Sequence, residues 1–157
     1  MSTLYATFLV AGHYLGIDVL EMQEVLRGQR LTPVPLAPDV VEGLINLRGQ
    51  IVPAVDLRRV LKLAPALPGQ DRFSVVARSH HGPVSLQVDE IGDVVELDAA
   101  GFEPPPDNVD PAIGALLRGV YKLKDRLLLV LDTARATEIV PAAKAAANRS
   151  QNDEKTE

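Results

Sequence analysis

Apolar positions along this chain fall in short runs broken by turn residues. Val84, Leu86 and Val88 alternate with Ser85, Gln87 and Asp89, the two-residue period of a half-buried strand. Leu127 to Leu131 is continuously apolar between Asp125-Arg126 and Asp132. That length and punctuation predict a strand covered on both faces. Asp56 and Asp132 stand where each can N-cap a short helix, over Leu57–Lys62 and Thr133–Glu138. Pro38 before 39–42, and Asp110-Pro111 before Ala112–Leu117, carry helix-start chemistry, with Gly43 and Gly119 as the expected stops.

Laid on itself, the chain repeats. Leu9-Val10-Ala11 matches Val75-Val76-Ala77 at an offset of 66, which also pairs Gly16 with Gly82 and Gln23-Glu24-Val25 with Asp89-Glu90-Ile91. Further on the offset is 76: Gly43–Arg48 faces Gly119–Lys124, and Ile51–Asp56 faces Leu127–Asp132. A period this long is no solenoid repeat. It predicts two copies of a small β unit packed together, each of about five strands with one or two helical turns, closed enough to hide its edges.

Composition narrows the core. Hydrophobic residues are 46% of the 157 but aromatics only 4% with no Trp, so the core is aliphatic and the chain is not disordered as a whole. Eleven Gly and twelve Pro suit short strands and turns. With 16 basic and 21 acidic residues the net charge is −5, against a nucleic-acid partner. The absence of cysteine excludes disulfides, thiolate metal sites and thiol catalysis. Neither a signal peptide nor a membrane span is visible, and a cytoplasmic protein is expected. Residues 141–157, which end in a stretch without hydrophobic residues, read as a flexible tail.

Catalytic chemistry is sparse. Neither phosphate-binding glycine motif is present. His80-His81, followed by Gly82-Pro83, reads as a hairpin tip and not a metal site, because adjacent strand residues point to opposite faces. Asp89-Glu90, Glu21 and Glu24 read as carboxylates on solvated strand margins. No enzyme, metal or cofactor is expected. Segment 43–58 places Arg48-Gly49 between two apolar runs, which predicts a hairpin with Gly49 at positive φ and Arg48 presented at the turn. An Arg among exposed apolar positions suits an interface.

The stretch Asn46-Leu47-Arg48-Gly49-Gln50-Ile51-Val52-Pro53-Ala54-Val55-Asp56-Leu57-Arg58 strongly resembles the signature of CheW-like chemotaxis coupling proteins. Gly16–Val19, Gln23-Glu24-Val25, the prolines 33, 35 and 38, Val84–Val94 and Leu127–Thr133 extend the resemblance over about residues 4–140. It implies a mostly β fold of two small SH3-like five-stranded β-barrels related by a pseudo-twofold, with short helices, forming one interleaved domain over 4–140. It further implies a non-enzymatic adaptor between the cytoplasmic tip of methyl-accepting chemoreceptors and the regulatory domain of a CheA-type histidine kinase, recruited to membrane-attached arrays without inserting in the membrane. Carried over by position, the receptor groove is lined by Met22, Glu24, Val25, Arg48, Ile91 and Val94. Ser85 stands where the family commonly has Gly, next to the groove strand. A coupling protein of a non-flagellar pathway, or a small-ligand regulatory subunit on the same fold, are the alternatives.

Overall fold

The computed structural model describes residues 1–138, so the expected tail lies outside the described residues. Eleven strands alternate with short helical turns: β1 Ser2–Val10, β2 His13–Asp18, β3 Met22–Arg27, β4 Val41–Leu47, β5 Gln50–Asp56, β6 Phe73–Ala77, β7 Val84–Val88, β8 Glu90–Asp98, β9 Phe102–Glu103, β10 Leu117–Lys122 and β11 Leu127–Leu131. The helices are α1 Leu57–Val60, α2 Pro111–Gly114 and α3 Thr133–Ala136. The expected capping holds: Asp56, Asp110 and Asp132 accept backbone N–H groups of Arg58, Ala112 and Arg135 at 3.0, 2.8 and 3.2 Å.

The strands form two sheets, ordered β8-β1-β2-β11-β10-β9 and β3-β6-β7-β5-β4. Each curls until its ends meet, giving two small SH3-like barrels. In the second sheet, Leu26 of β3 packs with Ile45 and Leu47 of β4. In the first, Val95 and Leu97 of β8 join Tyr121 of β10 around Leu128 and Val130. The largest core lies between the barrels, where Phe8, Leu15 and Ile17 meet Val55, Leu57, Val75 and Leu86. Strand alternation explains the continuous apolar run 127–131: Leu128 and Val130 face into the barrel while Leu129 and Leu131 face the shared core.

Hydrogen-bond register corrects the self-alignment. Val130 of β11 pairs in parallel with Gly16 of β2, as Ala54 of β5 pairs with Ser85 of β7. The 76-residue offset stands, but Gly16 corresponds to Ser85, an offset of 69 and not 66. The sequence matches at 66 were chance identities; pairing geometry fixes the true equivalence. Nor is β7 half-buried. As the central strand it is covered on both faces, and Gln87 Nε2 satisfies its polar side by donating to Ser74 Oγ at 2.8 Å and Ser85 Oγ at 2.7 Å. Ser85 therefore lies in the interior and not on a groove wall.

Gly43 and Gly119 also stop no helix. Residues 39–40 are a turn, β4 starts at Val41 and runs through Gly43, α2 ends at Gly114, and Gly119 lies inside β10. Both glycines sit at equivalent register shifts where another chain segment crosses closely. A Cβ on Gly43 would stand 2.7 Å from the Thr32 carbonyl oxygen; one on Gly119 would stand 2.5 Å from that of Glu103 and strike the Phe102 ring. Gly119→Ala should therefore cost about 1–3 kcal/mol as overpacking, seen as a lower urea midpoint. Gly114→Ala, whose added Cβ would meet only Val109 Cγ1 at 4.0 Å, should leave the midpoint nearly unchanged.

Candidate functional site

The β4–β5 hairpin closes with the two-residue loop Arg48-Gly49, since Leu47 pairs with Gln50. Both loop residues have positive φ, 53° and 86°, the primed turn that matches strand twist. Asn46 Oδ1 steadies it by accepting Gly49 N–H at 2.9 Å. The loop is as the sequence predicts, with one addition: Arg48 is not an open fork. Its Nη1 and Nη2 donate to Glu24 Oε2 and Oε1 of β3 at 2.7 and 3.3 Å. β3 and β4 are opposite ends of one sheet, so this ion pair clasps the barrel shut. The Arg48 side chain remains 74% exposed, against 17% for Glu24.

The end strands β3 and β8 carry apolar side chains that a folded chain normally covers. Val25 on β3 is exposed beside Glu24, while Met22 is half-buried against the shared core. Ile91 and Val94 are exposed on β8, opposite Phe8 and Ala6 of β1. The two strands are counterparts: at the 69-residue offset fixed by register, Met22 corresponds to Ile91 and Val25 to Val94. β3 and β8 are each an end strand of their sheet. The structure thus gathers Met22, Glu24, Val25 and Arg48 on one barrel and Ile91 with Val94 on the other. Two exposed residues were not singled out in the sequence. Leu4 is paired opposite Glu96 and shares the face of Val94, and Ile51 flanks the Arg48 turn. Their strand periodicity was readable, but exposure of an apolar strand residue is a tertiary property.

Behind the start of β8 the expected solvated margin is replaced by a buried ion network. Arg58 Nε and Nη2 donate to Asp89 Oδ1 and Oδ2 at 3.1 and 2.7 Å, and Ala11 N–H donates to Oδ2 at 2.6 Å. Arg72 reaches Asp56 and Glu42 at 3.0 and 3.1 Å. Burial alone would raise the Asp89 carboxyl, but Arg58, the Ala11 amide and Arg72 outweigh it and hold it below the ordinary carboxylate value. Glu42 goes the other way, pushed up by burial against the pull of Arg72. Glu21, likewise read as solvated, is held by Arg118 at 2.7 Å and by the Thr133 hydroxyl at 2.6 Å.

His80 and His81 lie in the turn between β6 and β7. Among the described residues no group of three or more His, Asp or Glu side chains is placed to hold a metal ion, and no helix is long and apolar enough to cross a membrane. The arrangement offers a charged clasp flanked by exposed aliphatic side chains, the composition of a docking surface.

Comparison with known proteins agrees with that geometry. The CheW-like domain model matches residues 4–139. The chemotaxis protein CheW of Klebsiella aerogenes is 32% identical over 130 residues, spanning 82% of this chain and 77% of its own. Its namesake in Thermotoga maritima is 31% identical over 133 residues, 84% of this chain and 85% of its own. The crystal structure of the scaffolding protein TtCheW from Thermoanaerobacter tengcongensis superposes with a TM-score of 0.79 at 26% identity, covering 88% of this chain and 94% of that one.

Proposed function

The chain belongs to the CheW-like family of chemotaxis coupling adaptors, and from that premise we propose that its receptor-facing surface is the one built on β3, β8 and the β4–β5 turn. A helical chemoreceptor tip lies against Met22, Val25, Ile91 and Val94, and Glu24 with Arg48 sets its register. The second partner is the regulatory domain of a CheA-type histidine kinase. The protein catalyses nothing itself, and it acts in the cytoplasm, on arrays anchored by the receptors' own membrane segments.

One observation supports this reading: Val25, Ile91 and Val94 are 39, 37 and 54% exposed on the two corresponding end strands β3 and β8, and β3 also carries the preformed Glu24–Arg48 ion pair. Exposed aliphatics at corresponding positions of two end strands suit a docking surface. Val94→Asp tests it. The side chain is exposed, so the melting temperature should stay nearly unchanged, within ~0.5 kcal/mol. Burying an unpaired carboxylate under the receptor helix should weaken receptor-dependent kinase activation by about tenfold or more. Unchanged activation with the reconstituted receptor and kinase would take Val94, and with it the β8 wall, out of the site.

A further inference from the structure

Ile91 and Val94 are three positions apart, and residues three apart on a regular strand point to opposite faces. On β8 they do not. Ile91 pairs with Phe8 and Val94 with Ala6, and both partners belong to the core between the barrels. Residues opposite each other in an antiparallel ladder share a face, so Ile91 and Val94 share one too. The cause is a β-bulge: between those two pairs, Gly92 and Asp93 oppose the single residue Thr7. Without the extra residue, the register running on from Ile91 would set Asp93 opposite Ala6. Val94 would then turn inward opposite Tyr5, which faces the barrel core.

The other copy carries the same device. Met22 pairs with Ala77 and Val25 with Val75, with the shift of register between Met22 and Glu24. Those positions correspond to Ile91 and Asp93 at the 69-residue offset. The two bulges are held differently. On β3 the Arg48 fork grips the Glu24 side chain. On β8, Asp93 stands for Glu24 and Lys124 for Arg48 by the 76-residue offset, but no ion pair joins them among the described residues. Instead the hydroxyl of Thr7, a residue only 2% exposed, donates to the Asp93 carbonyl at 2.5 Å. Gly92 leaves room for it, since a Cβ there would strike the Thr7 hydroxyl oxygen. Val76, the counterpart of Thr7, has no hydroxyl to offer.

We propose that Thr7 is a positioning residue of the receptor-facing surface: its hydroxyl, seated against Gly92, fixes the bulge that turns Ile91 and Val94 to one side. The inference rests on the reading that those two residues face the receptor. Thr7 is buried beneath β8 and presents no surface to a partner, so it acts only through the strand it holds. An end strand has a neighbour on one side alone, and its register is free to slip unless something pins it. A buried hydroxyl bonded to the bulge carbonyl does so, because breaking that bond would leave both groups unsatisfied.

The test uses the full chain with reconstituted receptor and kinase, well below the melting temperature so that each variant is folded. Thr7→Val keeps the shape and removes the hydroxyl. It should raise the receptor concentration for half-maximal kinase activation by about fivefold or more. Thr7→Ser keeps the hydroxyl and loses a buried methyl, so it should melt lower yet couple as the parent chain does. Amide exchange over Gly92–Val94 in the protein alone should quicken in T7V and not in T7S. Gly92→Ala, which displaces the hydroxyl from the other side, should match T7V. Parent-like half-saturation in both T7V and G92A, with Val94→Asp still defective, would overturn the inference and leave the surface standing. Normal coupling in V94D would remove the surface, and the role of Thr7 with it. Equal defects in T7V and T7S would make Thr7 a packing residue and overturn its positioning role.

Discussion

Arg58→Met should be the most damaging single change in the molecule, lowering stability by about 3–5 kcal/mol and the melting temperature by roughly 10 °C or more. Arg58 and Asp89 have side chains only 12 and 9% exposed. Methionine fills much of the aliphatic volume but leaves the Asp89 carboxylate buried with the Ala11 amide and the more distant Arg72, 3.9 Å away. The cost arises from the stranded charge, so the double variant R58M/D89L should recover a large part of it. A double variant no more stable than R58M would mean that the arginine acts through packing alone. The network also sets the acid limb of the stability curve. Because Asp89 is held below its ordinary value, it binds protons less readily folded than unfolded. Its contribution is complete above the unfolded value near pH 4 and is lost as pH falls through the lower folded value. Asp89→Asn should flatten that limb in a pH series of urea melts.

Arg48→Glu should have the largest effect on coupling. An exposed ion pair contributes at most about 1 kcal/mol to stability, and the reversed charge adds repulsion against Glu24, so the melting temperature should fall by only a few degrees. If a receptor helix covers the clasp, the same reversal places two carboxylates in a desolvated interface. That costs on the order of 2–5 kcal/mol of binding, or a loss of receptor-dependent kinase activation of about thirtyfold or more. The exchanged pair E24R/R48E separates the two jobs of Arg48. It should restore stability, because the clasp re-forms with its charges transposed, while activation stays low, because the receptor meets a carboxylate where it needs a guanidinium. Recovery of activation by the exchange would make the clasp itself the function, and Arg48 merely half of it.

Local chemistry was the legible part of this sequence. Asp56, Asp110 and Asp132 cap as expected because an N-cap acts within two or three residues of itself. The Arg48-Gly49 turn was equally readable, since a two-residue loop between apolar runs leaves few alternatives. Gly43 and Gly119 mislead for the complementary reason. Their local setting resembles a helix stop, whereas what requires glycine is the approach of Thr32 and of Phe102-Glu103. The candidate groove residues rest on family resemblance, but the pairing of two of them does not: Glu24 and Arg48 lie 24 positions apart, and only closure of the sheet joins them. Arg58 and Asp89, 31 positions apart, were hidden in the same way. Charges that look solvated in a sequence become buried whenever a crossing element supplies the partner.

The crossing of the two halves has a consequence for biosynthesis. Every strand of the β3-β6-β7-β5-β4 barrel has been made once Val88 has left the ribosome. The ribbon β1–β2 must wait, because its parallel neighbour is β11, joining Leu15 and Gly16 to Leu129 and Val130. Through that interval Phe8, Leu15 and Ile17 have only part of their final cover, so the nascent chain carries a bare apolar face until nearly its last strand emerges. Such late, long-range closure is slow and exposed to aggregation. It also means that severing the 61–72 connection yields no free-standing module. Each fragment would hold strands of both barrels, and the two would fold only by finding each other.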